Sequence, residues 1–492
     1  MPAIDVIVPP IAPRGWQKLL IERLQADGHD VAVLHQPEAA RWPLTTTSIL
    51  ALERRLFRRR AFSLAAPTPQ IPQALRPRRP SLRLDLTGSA APTETPTLSF
   101  TVNGHDLDTS VAATAAAGTM PVIEARLDRT TVIGRARPMI DRRESTALAA
   151  EDIFARAVTL AVSVVHSFFD GRIGTQAQRG EGFDGGDASP FLRSYLTQAL
   201  PRLTREAIRR LSYRHAHWHV GYRFDAVASV AEDGKLGTGW SVLPSPADHF
   251  YADPFAFQWQ GQDFLFVEDY PHATGKAVIS VVPFDSRQTP QQPQIVLEEP
   301  HHLSYPQVFE RDGVIWMLPE ASASGRLTLY RAVEFPYRWT PDTIVLEGEI
   351  SDATLLDHNG LLWLFATLRD GYGSTSDTLA VFYASQLRGP WKPHALNPIV
   401  IDHRMARPGG AFVRTRSGRL ILPLQDGSLG YGGGLGLAEL MHLDQEKVHL
   451  SPPQPITTEG DWPHPQIHTL NRSGRLEVID GIGAMRKSSR TK

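Results

Sequence analysis

The chain has 492 residues, 42% hydrophobic and 21% charged, and its 51 lysines and arginines against 52 aspartates and glutamates leave a formal charge of -1. That length suits two domains, and the charge balance provides no global field for nucleic acid. With no cysteine, disulfides, thiolate metal sites and cysteine nucleophiles are excluded.

The first residues lack the basic and long apolar regions of a signal peptide, and no run of about 18 apolar residues offers a membrane span. The expectation is a cytoplasmic protein. Arg54, Arg55, Arg58, Arg59, Arg60, Arg76, Arg78 and Arg79 form a local basic cluster. Such runs are mostly solvated faces; the functional alternative is peripheral contact with a membrane.

Residues 1–170 carry the pattern of an α/β domain. Asp5–Val8 and Asp30–Leu34 predict strands, Gly15–Ala26 a helix between them, Arg83–Leu86 a further strand and Ala147–Phe169 a long amphipathic helix. Strands separated by helices imply a small parallel or mixed sheet. Residues 171–189 are rich in Gly, Asp and Gln and predict a linker; residues 190–213 predict a connecting amphipathic helix. From 214 to 492, short aromatic and β-branched runs alternate with turn residues, which predicts an all-β domain.

That domain contains a repeat. Gly261, Gly313, Gly360, Gly418 and Gly474 each separate two strand-like runs at intervals of about fifty residues, the period of propeller blades. Five hairpins in one register predict a five-bladed β-propeller, with Trp218–Arg223 supplying the strand that seals the ring. A β-sandwich, the alternative, has no need of one register five times.

Innermost strands of a propeller face its channel, so equivalent repeat positions meet at one mouth. Eight residues before the turn glycines stand Asp253, Tyr305, Asp352 and Gln466; seven after stand Glu268, Glu320, Thr367 and Gln425. Converging carboxylates can donate a proton and activate water or attack carbon, as glycosidic chemistry requires, so Asp253, Glu268, Glu320 and Asp352 are the catalytic candidates. Each also has a structural reading: Asp253-Pro254 is a turn starter, Asp352 a turn cap, and Glu268 and Glu320 partners for Arg407 or Arg223. Arg407 suits an anionic substituent. Gln425 opens a glycine-rich loop with Asp426 and Tyr431, which can close over a ligand or simply turn. Tyr251, Tyr305, Tyr431 and Trp259 are aromatic platforms for sugar, and His468 is more often a core histidine than a metal ligand. No cofactor or metal is called for.

The stretches HFYADPFAFQWQGQDFLFVEDY, LSYPQVFERDGVIWMLPEAS, SDATLLDHNGLLWLFAT, ARPGGAF, LQDGSLGYGGGLGL and IHTLN resemble the glucosamine inositolphosphorylceramide transferase N-terminal-like family. That domain is similar to the arabinanase, levansucrase and invertase superfamily of five-bladed propellers. The likeness covers about Trp218 to Met485, and residues 1–170 resemble a degenerate formyltransferase-like region without its Asn, His and Asp constellation. The superfamily likeness implies Asp253 as base or nucleophile and Asp352 as the residue that tunes the acid. The general acid of that superfamily is a Glu opening blade four, where this chain has Ala406-Arg407-Pro408. Glu268, Glu320 or Asp426 then supplies the proton, or the site does not hydrolyse.

Two functions follow as expectations. One is a glycan-active enzyme transferring or cleaving a glycosyl group in surface polysaccharide or glycolipid biosynthesis. The other is a non-catalytic carbohydrate-binding propeller that presents a glycan or lipid-linked intermediate to a partner glycosyltransferase.

Overall fold

The computed structural model describes residues 2–37, 41–57, 63–73, 80–173, 178–179, 190–213, 217–226 and 228–483. The chain divides into two compact units, one of residues 1–209 with 372–374, the other of residues 210–371 with 375–492.

In the first unit Ala3–Val8 lies one strand in from the edge of a mixed sheet. It pairs in parallel with Asp30–His35 on one side and Leu82–Asp85 on the other. Thr97–Val102 continues the sheet in parallel, and Ile123–Leu127 and Thr131–Ala136 add antiparallel strands. Ile4, Val6, Ile7 and Val8 are all buried, as a strand covered on both faces requires. Thr146–Phe169 packs on the sheet; the Ser145 hydroxyl caps it by accepting the Leu148 N–H at 3.3 Å, and Phe154 stacks on Trp16 with ring centres 5.4 Å apart. The long helix and the strands near residues 5, 30 and 83 stand where their periodicities put them, give or take a residue. Of the basic cluster, Arg54 and Arg55 end the helix Leu44–Leu56; Arg58, Arg59, Arg60, Arg76, Arg78 and Arg79 lie outside the described residues, as does most of 171–189.

The second unit is a five-bladed propeller. The four-stranded order repeats in blade one from His249–Trp259 to Gln294–Leu297 and in blade two from Ser304–Arg311 to Arg338–Glu347. Blade three runs outward from Glu349–His358 and blade four from the short Val413–Arg414. Blade five takes Thr469–Ser473 and Leu476–Gly483 from late in the chain, then His217–Phe224 and Ser241–Val242 from its beginning. The sealing strand pairs antiparallel with Leu476–Gly483, Val220 opposite Asp480 and Tyr222 opposite Val478.

Alternation of side chains sends the two faces of each blade to its two neighbours, and five apolar seams result. Phe255, Phe266, Tyr305 and Met317 join blades one and two; Trp316, Leu329, Ile350 and Leu364 join two and three. Phe365, Val381, Leu422 and Ala438 join three and four; Ile421, Leu437, Leu470 and Ile479 join four and five. Val220, Leu265, Val267, Leu476 and Val478 fill the last seam, between five and one. Five seams among five blades close the ring. In blades one to three the hairpin turns have two positive φ values in succession, as at Gln260 (48°) and Gly261 (80°), the geometry whose twist matches the flanking strands.

Candidate functional site

The innermost strands of blades one, two and three share a backbone device. Asp253, Tyr305 and Asp352 have φ of 46°, 46° and 49°, a left-handed conformation that costs a non-glycine residue energy and for tyrosine is an outlier. Each lies in a register shift, where two inner-strand residues oppose one on the second strand: Ala252/Phe255, Ser304/Gln307 and Ser351/Thr354. Such a bulge re-aims the side chain it carries. The bulges sit level with Glu268, Glu320 and Thr367, which pair with Ala252, Ser304 and Ser351. Carboxylates from several blades are thereby gathered at one mouth.

Blade five completes the set with a residue the repeat did not single out. Asp480 extends the face of its strand that carries Leu476 and Val478 against blade one. Its Oδ2 accepts the Asp253 N–H at 2.8 Å, and its Oδ1 accepts both the N–H and the hydroxyl of Thr469, each at 2.8 Å. Asp480 therefore fixes the strained backbone at Asp253. It escaped the sequence pattern because it stands nearer its hairpin turn than Glu268 does. Its carboxylate stands six rather than seven residues after the turn glycine.

Arg407 is the guanidinium common to this acidic set. Its Nε and Nη2 donate to the two oxygens of Asp352 at 2.6 and 3.1 Å, and its Nη1 donates to the Ser376 hydroxyl at 3.1 Å. Gln425 adds a third bond to Asp352, Nε2 to Oδ2 at 2.6 Å, while also donating to the Pro408 carbonyl. Asp352 is thus saturated. Asp253 is not: the His468 ring nitrogen is 3.9 Å from its Oδ1, too far for a hydrogen bond. Glu268 has His302 at 3.4 Å, and Glu320 accepts the Ser304 hydroxyl and the Ser322 N–H, both at 3.0 Å. Arg223 belongs elsewhere; it pairs with Glu477.

Accessibility divides the acids into two ranks. Asp352 and Asp480 are 0% exposed, whereas Asp253, Glu268 and Glu320 keep 3%, 8% and 6%, so a solute at the mouth meets the second rank. Burial pushes the Asp253 carboxyl well above the usual range, aided by Asp352, Glu268 and Asp480. Burial likewise raises Glu268, with Glu320 and Asp480 adding to it. Asp480 is pushed up to about 6 by burial against the pull of its hydrogen bonds. Burial also raises Asp352, with Arg407 opposing. Like charges this close, with one guanidinium among them, resist being ionised all together at neutral pH. His468, held down to about 3 by burial and by Arg407, is neutral there.

The glycine-rich loop is pinned rather than free. The Asp426 carboxylate accepts the Ser428 N–H at 2.8 Å, its own N–H donates to Gly434, and a Cβ on Gly432 would lie 2.6 Å from the Trp218 ring. The loop sets Tyr431 beside His468 and Trp218, ring centres 4.9 and 6.0 Å away, and beneath it the Arg407 guanidinium is 5.2 Å from the ring centre. Tyr431 is 51% exposed, so the burial that raises its phenol belongs to its hydroxyl end.

Of the predicted residues, Asp253, Glu268, Glu320, Asp352, Arg407, Gln425, Tyr431 and His468 come together. Tyr305 lies beneath them, fully buried, its hydroxyl bonded to Thr354 at 2.9 Å and its ring edge-on to Phe255. Two expectations need correction. Tyr251 packs in the apolar seam between blades five and one and is no platform for sugar, and Asp426 is occupied as the cap of its loop rather than as a proton donor. Trp259 packs against Phe335 in the seam between blades one and two.

Residues 239–456 match the family model described as glucosamine inositolphosphorylceramide transferase 1, N-terminal. The chain is 35% identical over 212 residues to glucosamine inositolphosphorylceramide transferase 1 of Arabidopsis thaliana, covering 42% of this chain and 27% of the relative. It is 34% identical over 247 residues to the protein of the same name from Oryza sativa subsp. japonica, covering 47% and 33%. The chain thus spans about a third or less of these relatives. Among solved structures, the catalytic domain of Coprinopsis cinerea GH62 α-L-arabinofuranosidase is similar at a TM-score of 0.36 and 13% identity, over 47% of this chain and 90% of that one. The exo-β-1,3-galactanase 1,3Gal43A of Clostridium thermocellum is similar at 0.36 and 12%, over 49% and 60%. The greater part of the propeller, residues 239–456, is therefore similar to the N-terminal region of glucosamine inositolphosphorylceramide transferase 1.

Proposed function

We propose that the propeller mouth is the site of a glycan-active enzyme that transfers or cleaves a glycosyl group in glycolipid or surface polysaccharide biosynthesis. The observation that carries this is the contrast among the acids: Asp352 is neutralised by Arg407, while Asp253 and Glu268 reach the mouth and the Glu268 charge helps to raise Asp253. Two such carboxyls share a proton. Glu268, holding it, donates to the glycosidic oxygen as the bond to the anomeric carbon breaks. Asp253, carrying the charge, attacks that carbon or takes the proton of the incoming water or hydroxyl. Asp352 with Arg407 and Gln425 forms a fixed polar wall behind the reaction, and Tyr431 gives a sugar face an aromatic ring at the rim. The names of the relatives make a hexosamine donor and a phosphate-bearing glycolipid acceptor the first substrates to try.

Purified protein offered sugar nucleotides, glycans and glycolipid acceptors should show turnover that Asp253→Asn lowers by at least about a hundredfold while calorimetric binding persists. Unchanged turnover in that variant would remove catalysis from this mouth.

A second reading, a carbohydrate-binding propeller serving a partner glycosyltransferase, is favoured by one observation: blade four opens with Arg407 and its bonds to Asp352. Glycan binding by the native protein with no turnover on any donor establishes it.

A further inference from the structure

In the first unit, the helix that starts at Phe191 has one face docked and the other bare. On the docked side Ser194 and Ala199 are buried, and Arg202 donates to the carbonyls of Ala115, Ala116 and Arg143. On the bare side Leu192, Leu196, Leu200 and Ile208 are 47%, 54%, 42% and 60% exposed. Steps of four residues drift round an α-helix by about 40° each, which would scatter these side chains. Residues Tyr195–Ala199 form a π turn, whose wider turn takes back most of that drift. The leucines therefore lie in a straight stripe.

The same helix is basic. Residues 191–209 contain Arg193, Arg202, Arg205 and Arg209 against a single acid, Glu206, which bonds to Arg209. Arg193 and Arg205 are exposed near the two ends of the stripe. The helix Leu44–Leu56 packs against Phe191–Ser194. It too exposes leucines, Leu44, Leu52 and Leu56, and ends in Arg54 and Arg55. Among the described residues no helix is long and apolar enough to cross a membrane. An apolar stripe on a polar, arginine-rich helix that cannot span is the makeup of a segment lying in a lipid interface.

We propose that the exposed face of residues 191–209, with the neighbouring end of Leu44–Leu56, docks this protein on an anionic lipid bilayer. Leu192, Leu196, Leu200 and Ile208 enter the boundary between headgroups and acyl chains, and Arg193 and Arg205 meet lipid phosphates. The charge settles the occupant: a neutral partner or a second copy of this basic helix offers the arginines no counter-charge. This docking stands whether or not the propeller mouth turns over a glycan.

The test is co-sedimentation of the full chain with vesicles of phosphatidylcholine alone and of phosphatidylcholine mixed with phosphatidylglycerol. The mixed vesicles should bind at least about tenfold more tightly. Leu196→Ser with Ile208→Ser should weaken that binding at least about tenfold, and Arg193→Gln with Arg205→Gln should remove most of the preference for anionic lipid. Both pairs are exposed, so the unfolding temperature should not move. Failure to bind mixed vesicles, or equal binding by the Leu196→Ser/Ile208→Ser protein, overturns the proposal. So does a native dimer that this pair converts to monomer without vesicle binding, since the stripe then belongs to a second copy.

Discussion

Blades one and three place the same residue type on the same backbone device and obtain opposite chemistry. Asp253 and Asp352 each occupy a left-handed bulge, with φ of 46° and 49°. Asp352 receives a bidentate guanidinium and an amide from blade four. Asp253 faces blade five, whose nearest offering is a neutral histidine 3.9 Å away, and Asp480 bonds its backbone rather than its carboxyl. The bulge decides where a carboxylate points. The adjoining blade decides whether that carboxylate meets a cation.

Breaking the labile side of this comparison has the largest expected effect. Asp253→Asn should lower turnover by about 10²–10⁴-fold, with the melting temperature held or raised because a repelling charge is gone. Breaking the saturated side should cost stability first. Arg407→Met leaves Asp352 buried without its cation, at about 3–5 kcal/mol in denaturant unfolding, and adding Asp352→Asn should recover most of that loss.

A subtler test uses pH. A carboxyl raised in the native state keeps a proton that the unfolded chain has released, so its stabilising share is full at low pH and is lost as pH rises through the raised value. For Asp480 the window runs from 3.8 to about 6, and for Asp253 and Glu268 the direction is the same. Wild-type propeller stability should therefore gain on acidification across that window, relative to Glu268→Gln, which removes one of the repelling charges. Equal slopes for the two proteins would mean that the acids do not sense one another. Smallest is Tyr305→Phe, which removes the bond to Thr354 and should cost about 1 kcal/mol with turnover little changed.

Local signals carried most of the propeller. The turn glycines needed their positive φ, the seams needed β-branched and aromatic residues at alternate positions, and the sealing strand Trp218–Arg223 had its own aromatic run. The site was legible only as far as the repeat was regular. A bulge inverts the parity of everything before it, so Tyr251 shares a seam with Ala256 instead of facing the mouth. Asp480 was hidden because it stands nearer its hairpin turn than the position the repeat marks. The partner of Arg407 was equally out of reach, since an ion pair 55 residues long in sequence depends on how neighbouring blades approach. In the first unit, Asn103-Gly104 was an available hairpin signal between Thr97–Val102 and His105–Asp106; unread, it left that short strand without a place in the expected mixed sheet.

The seal of the ring also sets a timetable. Synthesis proceeds from the N-terminus, so the inner strand of blade one leaves the ribosome long before Asp480, 227 residues further on, exists to hold its backbone. His468 and the partner strand of His217–Phe224 arrive equally late. A nascent chain therefore carries Asp253 without the acceptor that fixes it. The acidic mouth is assembled only as the ring closes.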